Sequence, residues 1–153
     1  MSVADPEVVI AAARLWLGTP YHDQASLRGV GCDCLGLARG VWRDLAGAEP
    51  QAIPPYSRDW GETGVREVLA EGARAMMIEI PLAQIGPGTL VLFRMAPRAI
   101  AKHVGILTTP DSFMHAYDRL GVIEEALTTT WSRRIAFAFH FPATAINPSS
   151  EKT

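Results

Sequence analysis

The sequence has few cysteines, no long hydrophobic run and almost no excess of charge of either sign. Two cysteines in 153 residues exclude a disulfide-rich secreted scaffold, and no uninterrupted apolar stretch approaches the length of a membrane span. Lys and Arg number 14 against 16 Asp and Glu, so the basic excess typical of nucleic-acid-binding proteins is missing. We therefore expect a globular chain with no nucleic-acid partner and no membrane partner.

The two cysteines, Cys32 and Cys34, are separated by a single residue. This spacing disfavours an intrachain disulfide. No second Cys/His pair lies at the spacing of a zinc finger, so we expect no metal site. The stretch from Met1 to Glu7 lacks the basic and apolar segments of a secretory signal, so we expect synthesis in the cytoplasm without a signal peptide.

The first half of the chain predicts helices. Asp5-Pro6-Glu7 is typical of a helix start, and we expect this helix to end at Gly18. A second amphipathic helix is predicted after Asp33, with Gly47 at its end. A third is predicted at about 64–76.

The second half predicts strands, because short apolar or alternating runs are separated by turn residues. These runs are Thr89–Phe93, His103–Leu107, Ser112–Tyr117, Val122–Ala126 and Ile135–Phe141. Helices followed by strands indicate an α+β fold with a mostly antiparallel sheet. We expect a connector at 48–62, one domain over residues 1–142, and a polar, flexible tail at 143–153.

Cys34 is the candidate nucleophile. Asp33 predicts a helix cap, and Cys34 then lies in the first turn, where free backbone N–H groups and the helix dipole favour a thiolate. The same N–H groups can stabilise an oxyanion when a carbonyl is attacked. The alternative, and the commoner role of a lone cysteine, is a small buried side chain. Cys32 is interpreted as a loop thiol without a role.

His103 is the candidate base. Strand alternation places His103 and Gly105 on one face, and we predict that Gly105 leaves room there for the second helix. Gly36 and Gly40, on one face of that helix, would offer the matching gap. A hairpin can bring His115 to His103, where it would hold the base in the required tautomer. Taken alone, each histidine is more commonly structural.

Four motifs in this order resemble those of the NlpC-type cysteine peptidases. They are Gly18-Thr19-Pro20-Tyr21, Asp33-Cys34-Leu35-Gly36-Leu37, His103-Val104-Gly105-Ile106 and Phe113-Met114-His115-Ala116. The resemblance covers about residues 8–126. It implies a papain-like fold with N-terminal helices packed on an antiparallel sheet. It also implies Cys34 as nucleophile, His103 as base and His115 as the residue that orients the base.

The resemblance further implies a substrate class. Members of this type cleave amide bonds in cell-wall peptides, typically the γ-D-glutamyl-diaminopimelate link, without a metal or organic cofactor. Tyr21 corresponds to the active-site tyrosine near the thiol and the oxyanion position. Tyr21 and Asp33 are thus the predicted oxyanion and substrate-binding residues.

Two departures from the family pattern point to a particular branch. Leu35 replaces the serine common in secreted members, and Thr89 replaces an aspartate usual after the turn glycine. Together with the missing signal, these features resemble the short branch encoded with phage tails and gene transfer agents. That resemblance implies tail-tip or baseplate partners and local opening of the cell wall by a particle.

Two other functions remain open. One is a structural tail component with a vestigial peptidase site, and the other is a related amidase or acyltransferase of the same broad fold. The order of cysteine before histidine disfavours the permuted acyltransferases, in which the histidine comes first. Arg94, Arg98 and Lys102 cluster before His103. They indicate a solvated loop or, alternatively, attraction of anionic wall peptides, and would lower the pKa of His103.

The remaining histidines and the tryptophans are interpreted as structural. His22 and His140 lack the neighbours that the candidate base has. The four tryptophans, expected to be core residues, are Trp16, Trp42, Trp60 and Trp131.

Overall fold

A computed structural model describes residues 2–49 and 66–143 of the chain. The helices are α1 (Pro6–Arg14), α2 (Cys34–Ala46), α3 (Val68–Met76) and α4 (Thr129–Arg133), with a 3₁₀ turn at Leu82–Gln84. The strands are β1 (Ser26–Leu27), β2 (Gly31–Cys32), β3 (Ile78–Ile80), β4 (Thr89–Phe93), β5 (His103–Thr109), β6 (Ser112–Tyr117), β7 (Gly121–Ala126) and β8 (Ile135–His140). Within these residues, every helix is too short or too polar to cross a membrane.

Six of the strands form one antiparallel sheet in the order β3-β8-β4-β5-β6-β7. Strands β4 to β7 are neighbours in both sequence and space, as consecutive hairpins are. Strand β8 crosses back to lie between β3 and β4, and β1 and β2 form a separate small hairpin. The predicted α+β fold with helices packed on an antiparallel sheet is confirmed.

The two faces of the sheet carry different cores. On one face, Leu37 and Val41 of α2 pack in a cluster with Val104, Ile106 and Met114 of the sheet. The other face carries a smaller cluster, whose fully buried members include Val91, Phe93, Leu107 and Phe113. Strand alternation therefore buries both faces of β4 and β5, the first under α2 and the second under the segment that contains α4.

The first helix begins as the sequence predicts. Asp5 is its cap and accepts a hydrogen bond from the backbone N–H of Glu7 at 2.9 Å. The regular helix ends earlier than predicted, at Arg14, because the backbone tightens into successive turns before Gly18. Gly18 has φ +84°, a left-handed conformation that favours glycine.

The predicted strands agree closely with the sheet, and the short elements are the ones missed. The β1–β2 hairpin, β3 and α4 were not predicted, since two to five residues give too little periodicity to be recognised. Helix α3 begins at Val68, later than predicted. Residues 50–62 of the predicted connector at 48–62 lie outside the described residues, and so do residues 144–153 of the predicted tail at 143–153. The boundary at residue 142 stays a prediction.

Gly105 does not pack against α2 as predicted, and Gly36 and Gly40 contact neighbours other than β5. Gly105 does not face α2, because a Cβ there would lie 2.9 Å from the Phe93 ring and 3.0 Å from the Phe113 ring on the opposite face. Gly36 does allow a close backbone approach, since a Cβ would lie 1.9 Å from the carbonyl oxygen of Ala25. At Gly40 the close neighbour is a side chain, the indole of Trp16, at 2.0 Å.

The contact at Gly36 predicts a strong effect of a single methyl group. We expect Gly36→Ala to lower the free energy of unfolding by ~1–3 kcal/mol or more, because a backbone carbonyl cannot move aside as a flexible side chain would. The matched control is Gly72→Ala in α3, where a Cβ would meet nothing within 4 Å. That change should raise stability by up to ~1 kcal/mol through helix propensity.

Urea unfolding of both variants beside the wild type measures the difference. Equal stability of the two variants would contradict the close approach at Gly36.

Candidate active site

The candidate nucleophile lies at the N-terminus of α2, the position that the sequence predicts. Asp33 is the helix cap and is 3% exposed. Its Oδ1 accepts from the backbone N–H of Gly36 and its Oδ2 from that of Gln24, both at 2.7 Å. One carboxylate thus fixes the first turn of α2 to the preceding loop, and Cys34 follows it as the first residue of the helix.

The thiol of Cys34 points to the beginning of β5. Its Sγ lies 3.6 Å from the carbonyl oxygen of Lys102, to which it donates. The backbone N–H groups of Val104, Leu35 and Cys34 itself also face the sulfur and favour its ionised form. The thiol is therefore held against the backbone on both sides of His103, among donors that could bind an oxyanion.

The stabilisation of a Cys34 thiolate by these N–H groups is outweighed in the free protein. Burial, followed by the negative charge of Asp33, raises the pKa of Cys34 to about 12, and the backbone N–H groups only partly oppose this rise. Burial also raises the pKa of Cys32 to about 12. The backbone N–H groups therefore favour the thiolate as predicted, but desolvation and the charge of Asp33 outweigh them in the free protein.

The two candidate histidines meet through their side chains. Nε2 of His103 lies 2.7 Å from Nδ1 of His115, in hydrogen-bond contact. Nε2 of His115 in turn lies 2.6 Å from Oε2 of Glu125 on β7. The sequence-predicted pair therefore forms, and Glu125 extends it to a third residue that the sequence analysis missed.

Aromatic side chains enclose both imidazoles on the face of the sheet opposite α2. The ring of Tyr117 stacks on His115 at 5.0 Å between centroids. Trp131 of α4 contacts the rings of both His103 and His115, at 5.7 and 5.1 Å. Trp131 is half-buried and covers the histidines, so its interpretation as an ordinary core residue overlooked its place at the site.

This enclosure keeps the imidazoles uncharged. Burial, then the charge of His115 and then that of Arg134, lowers the pKa of His103 to about 3. Burial likewise lowers the pKa of His115, against the opposing effect of Glu125. The cation that acts on His103 is Arg134, which stacks on the Trp131 ring at 5.0 Å, and not the cluster that the sequence suggested.

The three basic residues before His103 do not form one free patch. Arg94 is bound to Glu67 and donates to the carbonyl oxygen of Ala99. Arg98 is exposed, and Lys102 offers its carbonyl oxygen to the Cys34 thiol. The solvated-loop interpretation fits Arg98, while Arg94 is a structural residue.

Tyr21 and the remaining histidines occupy three different settings. The backbone of Tyr21 pairs with Cys32, two residues before the candidate nucleophile, and its side chain packs on the core beside α2. His22 is exposed and His140 is half-buried on β8, away from the paired imidazoles. No group of three potential metal ligands occurs in residues 2–49 and 66–143.

Comparison with known families identifies the chain. The sequence profile of the NlpC/P60 family matches residues 18–139. The chain belongs to the NlpC/P60 family. This family consists of peptidoglycan-cleaving cysteine peptidases, so the chain is a cysteine peptidase by family membership. A comparison with curated proteins found no match to this sequence.

Solved structures of NlpC/P60 proteins have the same fold. The NlpC/p60 domain of the peptidoglycan hydrolase SagA is 20% identical with a TM-score of 0.60, and the match covers 90% of this chain and all of that one. A family protein from Bacillus cereus is 19% identical with a TM-score of 0.65, covering 91% of this chain and 41% of that one. The peptidoglycan hydrolase RipB from Mycobacterium tuberculosis is 20% identical with a TM-score of 0.56, covering 90% and 64%.

One departure from the family pattern has a structural explanation in this NlpC/P60 chain. Thr89 is fully buried, and its Oγ1 accepts from the backbone N–H of Gly86 at 3.2 Å. A short polar side chain that closes a turn in this way does what an aspartate can also do. Asp33, by contrast, uses both carboxylate oxygens for backbone N–H groups, and its assignment to substrate or oxyanion binding stays a prediction.

The lowered pKa of His103 predicts how stability depends on pH. Between its ordinary value of 6.5 and about 3, the unfolded chain takes up a proton at His103 that the folded chain does not. The free energy of unfolding should therefore fall as the pH falls through this window, and this contribution should level off below it. His103→Gln should make the fall shallower.

Urea unfolding at a series of pH values measures this slope. The control is His22→Gln, at an exposed histidine, which should leave the slope of the wild type unchanged. An equal slope in the wild type and His103→Gln would contradict a neutral, buried His103.

Proposed function

We propose that the chain hydrolyses amide bonds in peptidoglycan stem peptides, as an endopeptidase of the γ-D-glutamyl-diaminopimelate type. Support for the class comes from family membership and from the named activities of SagA and RipB. The observation that carries the proposal is the position of the Cys34 thiol against the backbone on either side of His103. Nε2 of His103 is in turn in hydrogen-bond contact with His115.

The arrangement favours a mechanism that starts from a neutral thiol and a neutral imidazole. Because Nε2 of His103 contacts His115, Nδ1 is the ring nitrogen left to receive the thiol proton. The S–H of Cys34 turns from the carbonyl of Lys102 towards Nδ1 as the sulfur attacks the substrate carbonyl carbon. The negative charge that develops on the substrate oxygen is taken up by backbone N–H groups at the start of α2.

The proton then leaves with the amine. His103 donates it from Nδ1 to the nitrogen of the scissile bond, that bond breaks, and a thioester remains on Cys34. A water molecule attacks the thioester, gives its proton to His103, and releases the peptide as a carboxylic acid. His103 returns the proton to the sulfur, so thiol and imidazole end as they began.

The proposed setting is a phage-like tail particle. Leu35 and Thr89 support this, because they are the departures that resemble the short branch encoded with phage tails and gene transfer agents. We propose that the chain is made in the cytoplasm, joins tail-tip or baseplate proteins, and opens the cell wall locally.

The role of Cys34 predicts a clean loss of activity. Cys34→Ala should abolish cleavage of purified muropeptides, with products identified by mass spectrometry, and should leave the unfolding transition close to that of the wild type. The matched control is Cys32→Ala, which removes a fully buried thiol two residues away and should stay active despite a loss of up to ~2 kcal/mol of stability. Activity that survives in Cys34→Ala would contradict the proposal.

The choice of bond predicts the products. A γ-D-glutamyl-diaminopimelate endopeptidase should release a new D-glutamyl carboxyl group and a peptide that begins with diaminopimelate. Products that arise from cleavage at another bond would support a hydrolase but contradict the proposed specificity for the γ-D-glutamyl-diaminopimelate bond. An inactive wild type would favour the structural tail component with a vestigial site.

The tail setting predicts where the protein is found. In cultures that release the particles, the chain should sediment with purified tails and be detected by mass spectrometry together with tail-tip proteins. If it appears only in the unsedimented fraction, the particle assignment is wrong.

A further inference from the structure

We propose that Glu125 is a positioning residue that sets the tautomers of both His115 and His103, and so decides which nitrogen of the base faces the thiol. This inference rests on the proposed role of His103 as the base. It adds to the Cys34, His103 and His115 set a carboxylate that acts through its contact with His115.

The register of the β6–β7 hairpin brings the carboxylate to the histidine. Tyr117 pairs with Gly121 at the turn, which places His115 opposite Ile123 and Phe113 opposite Glu125. Residues two apart on a strand share a face, so Glu125 lies diagonally across from His115 on the aromatic side. The 2.6 Å contact between Nε2 of His115 and Oε2 of Glu125 follows from this placement.

Hydrogen-bond chemistry then fixes each proton in turn. An ionised carboxylate can only accept, so Nε2 of His115 must carry the hydrogen and its Nδ1 must be the acceptor. The only hydrogen that can fill the 2.7 Å contact is therefore the one on Nε2 of His103. His103 is left with an unprotonated Nδ1, which is the form that a base for the Cys34 thiol requires.

Burial makes this chain the controlling influence on the tautomers. His115 is fully buried and His103 is 9% exposed, so water has little access to reorient them. Both nitrogens of His115 are engaged by protein atoms, one by His103 and one by Glu125. With the carboxylate removed, Nε2 of His115 loses its acceptor. The reversed arrangement would put the hydrogen on Nδ1 of His103, the nitrogen that receives the thiol proton in the proposed mechanism.

Glu125 also acts through its charge. When His103 takes the thiol proton, it becomes an imidazolium in a buried setting that disfavours positive charge. The proton on Nε2 of His103 can then be shared towards His115, whose own N–H is held by a negative carboxylate. The same residue thus selects the reactive tautomer and stabilises the charged form of the base.

The neighbouring residue provides a matched control. Glu124 precedes Glu125 on β7 and points to the other face of the sheet, where it forms an ion pair with Arg14 at 2.8 Å. Its side chain is 25% exposed and that of Glu125 is 37% exposed, so either glutamate can be truncated without opening a buried cavity. A comparison of the two variants distinguishes an effect specific to the position of Glu125 from the general effect of removing a carboxylate from β7.

The kinetic arm compares Glu125→Ala with Glu124→Ala on purified muropeptides. We expect Glu125→Ala to lower kcat by about 10- to 100-fold with KM nearly unchanged, which is less than the loss of about 10⁴ when an orienting carboxylate contacts the base directly. Glu124→Ala should keep the activity of the wild type. Glu125→Gln, whose amide oxygen can still accept, should recover part of the loss.

The second arm needs no substrate. Two-dimensional ¹H–¹⁵N spectra of ¹⁵N-histidine-labelled protein, assigned with His103→Gln and His115→Gln, report which ring nitrogen carries hydrogen. We expect the wild type and Glu124→Ala to show hydrogen on Nε2 of both histidines. In Glu125→Ala, hydrogen should appear on Nδ1.

The two arms distinguish the failure of this inference from the failure of the proposed function. A wild type that cleaves no muropeptide would count against the proposed substrate, while the spectra would still test the effect of Glu125 on the tautomers. Unchanged tautomers in a folded Glu125→Ala protein would overturn the inference, and so would a kcat within about twofold of that of Glu124→Ala.

Discussion

The hydrogen bond between the buried imidazoles of His103 and His115 is the interaction on which the site depends. It holds only if β5 and β6 keep their register, because a slip of one residue would turn either ring to the opposite face of the sheet. The rings of Phe93, Phe113 and Trp131 surround the pair and exclude water. The same burial that protects the contact keeps both rings uncharged.

Helix α2 and the two imidazoles lie on opposite faces of the sheet. Helix α2 packs on one face through Leu37 and Val41, while the imidazoles lie on the other. The Cys34 thiol reaches the first residues of β5 because Asp33 fixes the first turn of the helix to the loop before it. Cys34 is thus placed by a helix cap and His103 by the pairing of β5 with β6.

The resting protein holds the thiol and the base in their neutral forms. Burial raises the pKa of Cys34 and lowers that of His103, so charge separation is unfavourable before substrate arrives. In the proposed mechanism, a negative charge that develops beside the backbone N–H groups at the start of α2 changes this balance. A helix N-terminus by itself is therefore not enough to make a buried cysteine reactive.

Much of the fold and most of the candidate site could be predicted from local patterns. Asp33 before Cys34 predicts a capped helix, and the apolar runs from Thr89 to His140 predict the strands, because capping and alternation depend only on near neighbours. Elements of two to five residues, such as β1 and α4, were missed for lack of a period. The contact of Glu125 with His115 could have been predicted, since pairing across the turn at Asp118 to Gly121 gives the register of the hairpin. No sequence motif, however, indicates a role for Glu125.

By itself the sequence determined the order of the elements, the position of Cys34 at a helix N-terminus and the presence of a histidine pair on successive strands. Only the tertiary structure decided that Gly105 packs on Phe93 and Phe113, that Trp131 covers the imidazoles and that Glu125 completes the chain. It also decided the charge state of Cys34 and His103. The reason is physical: propensity and capping act between near neighbours, whereas register, desolvation and the choice of tautomer depend on which distant residues the fold brings into contact.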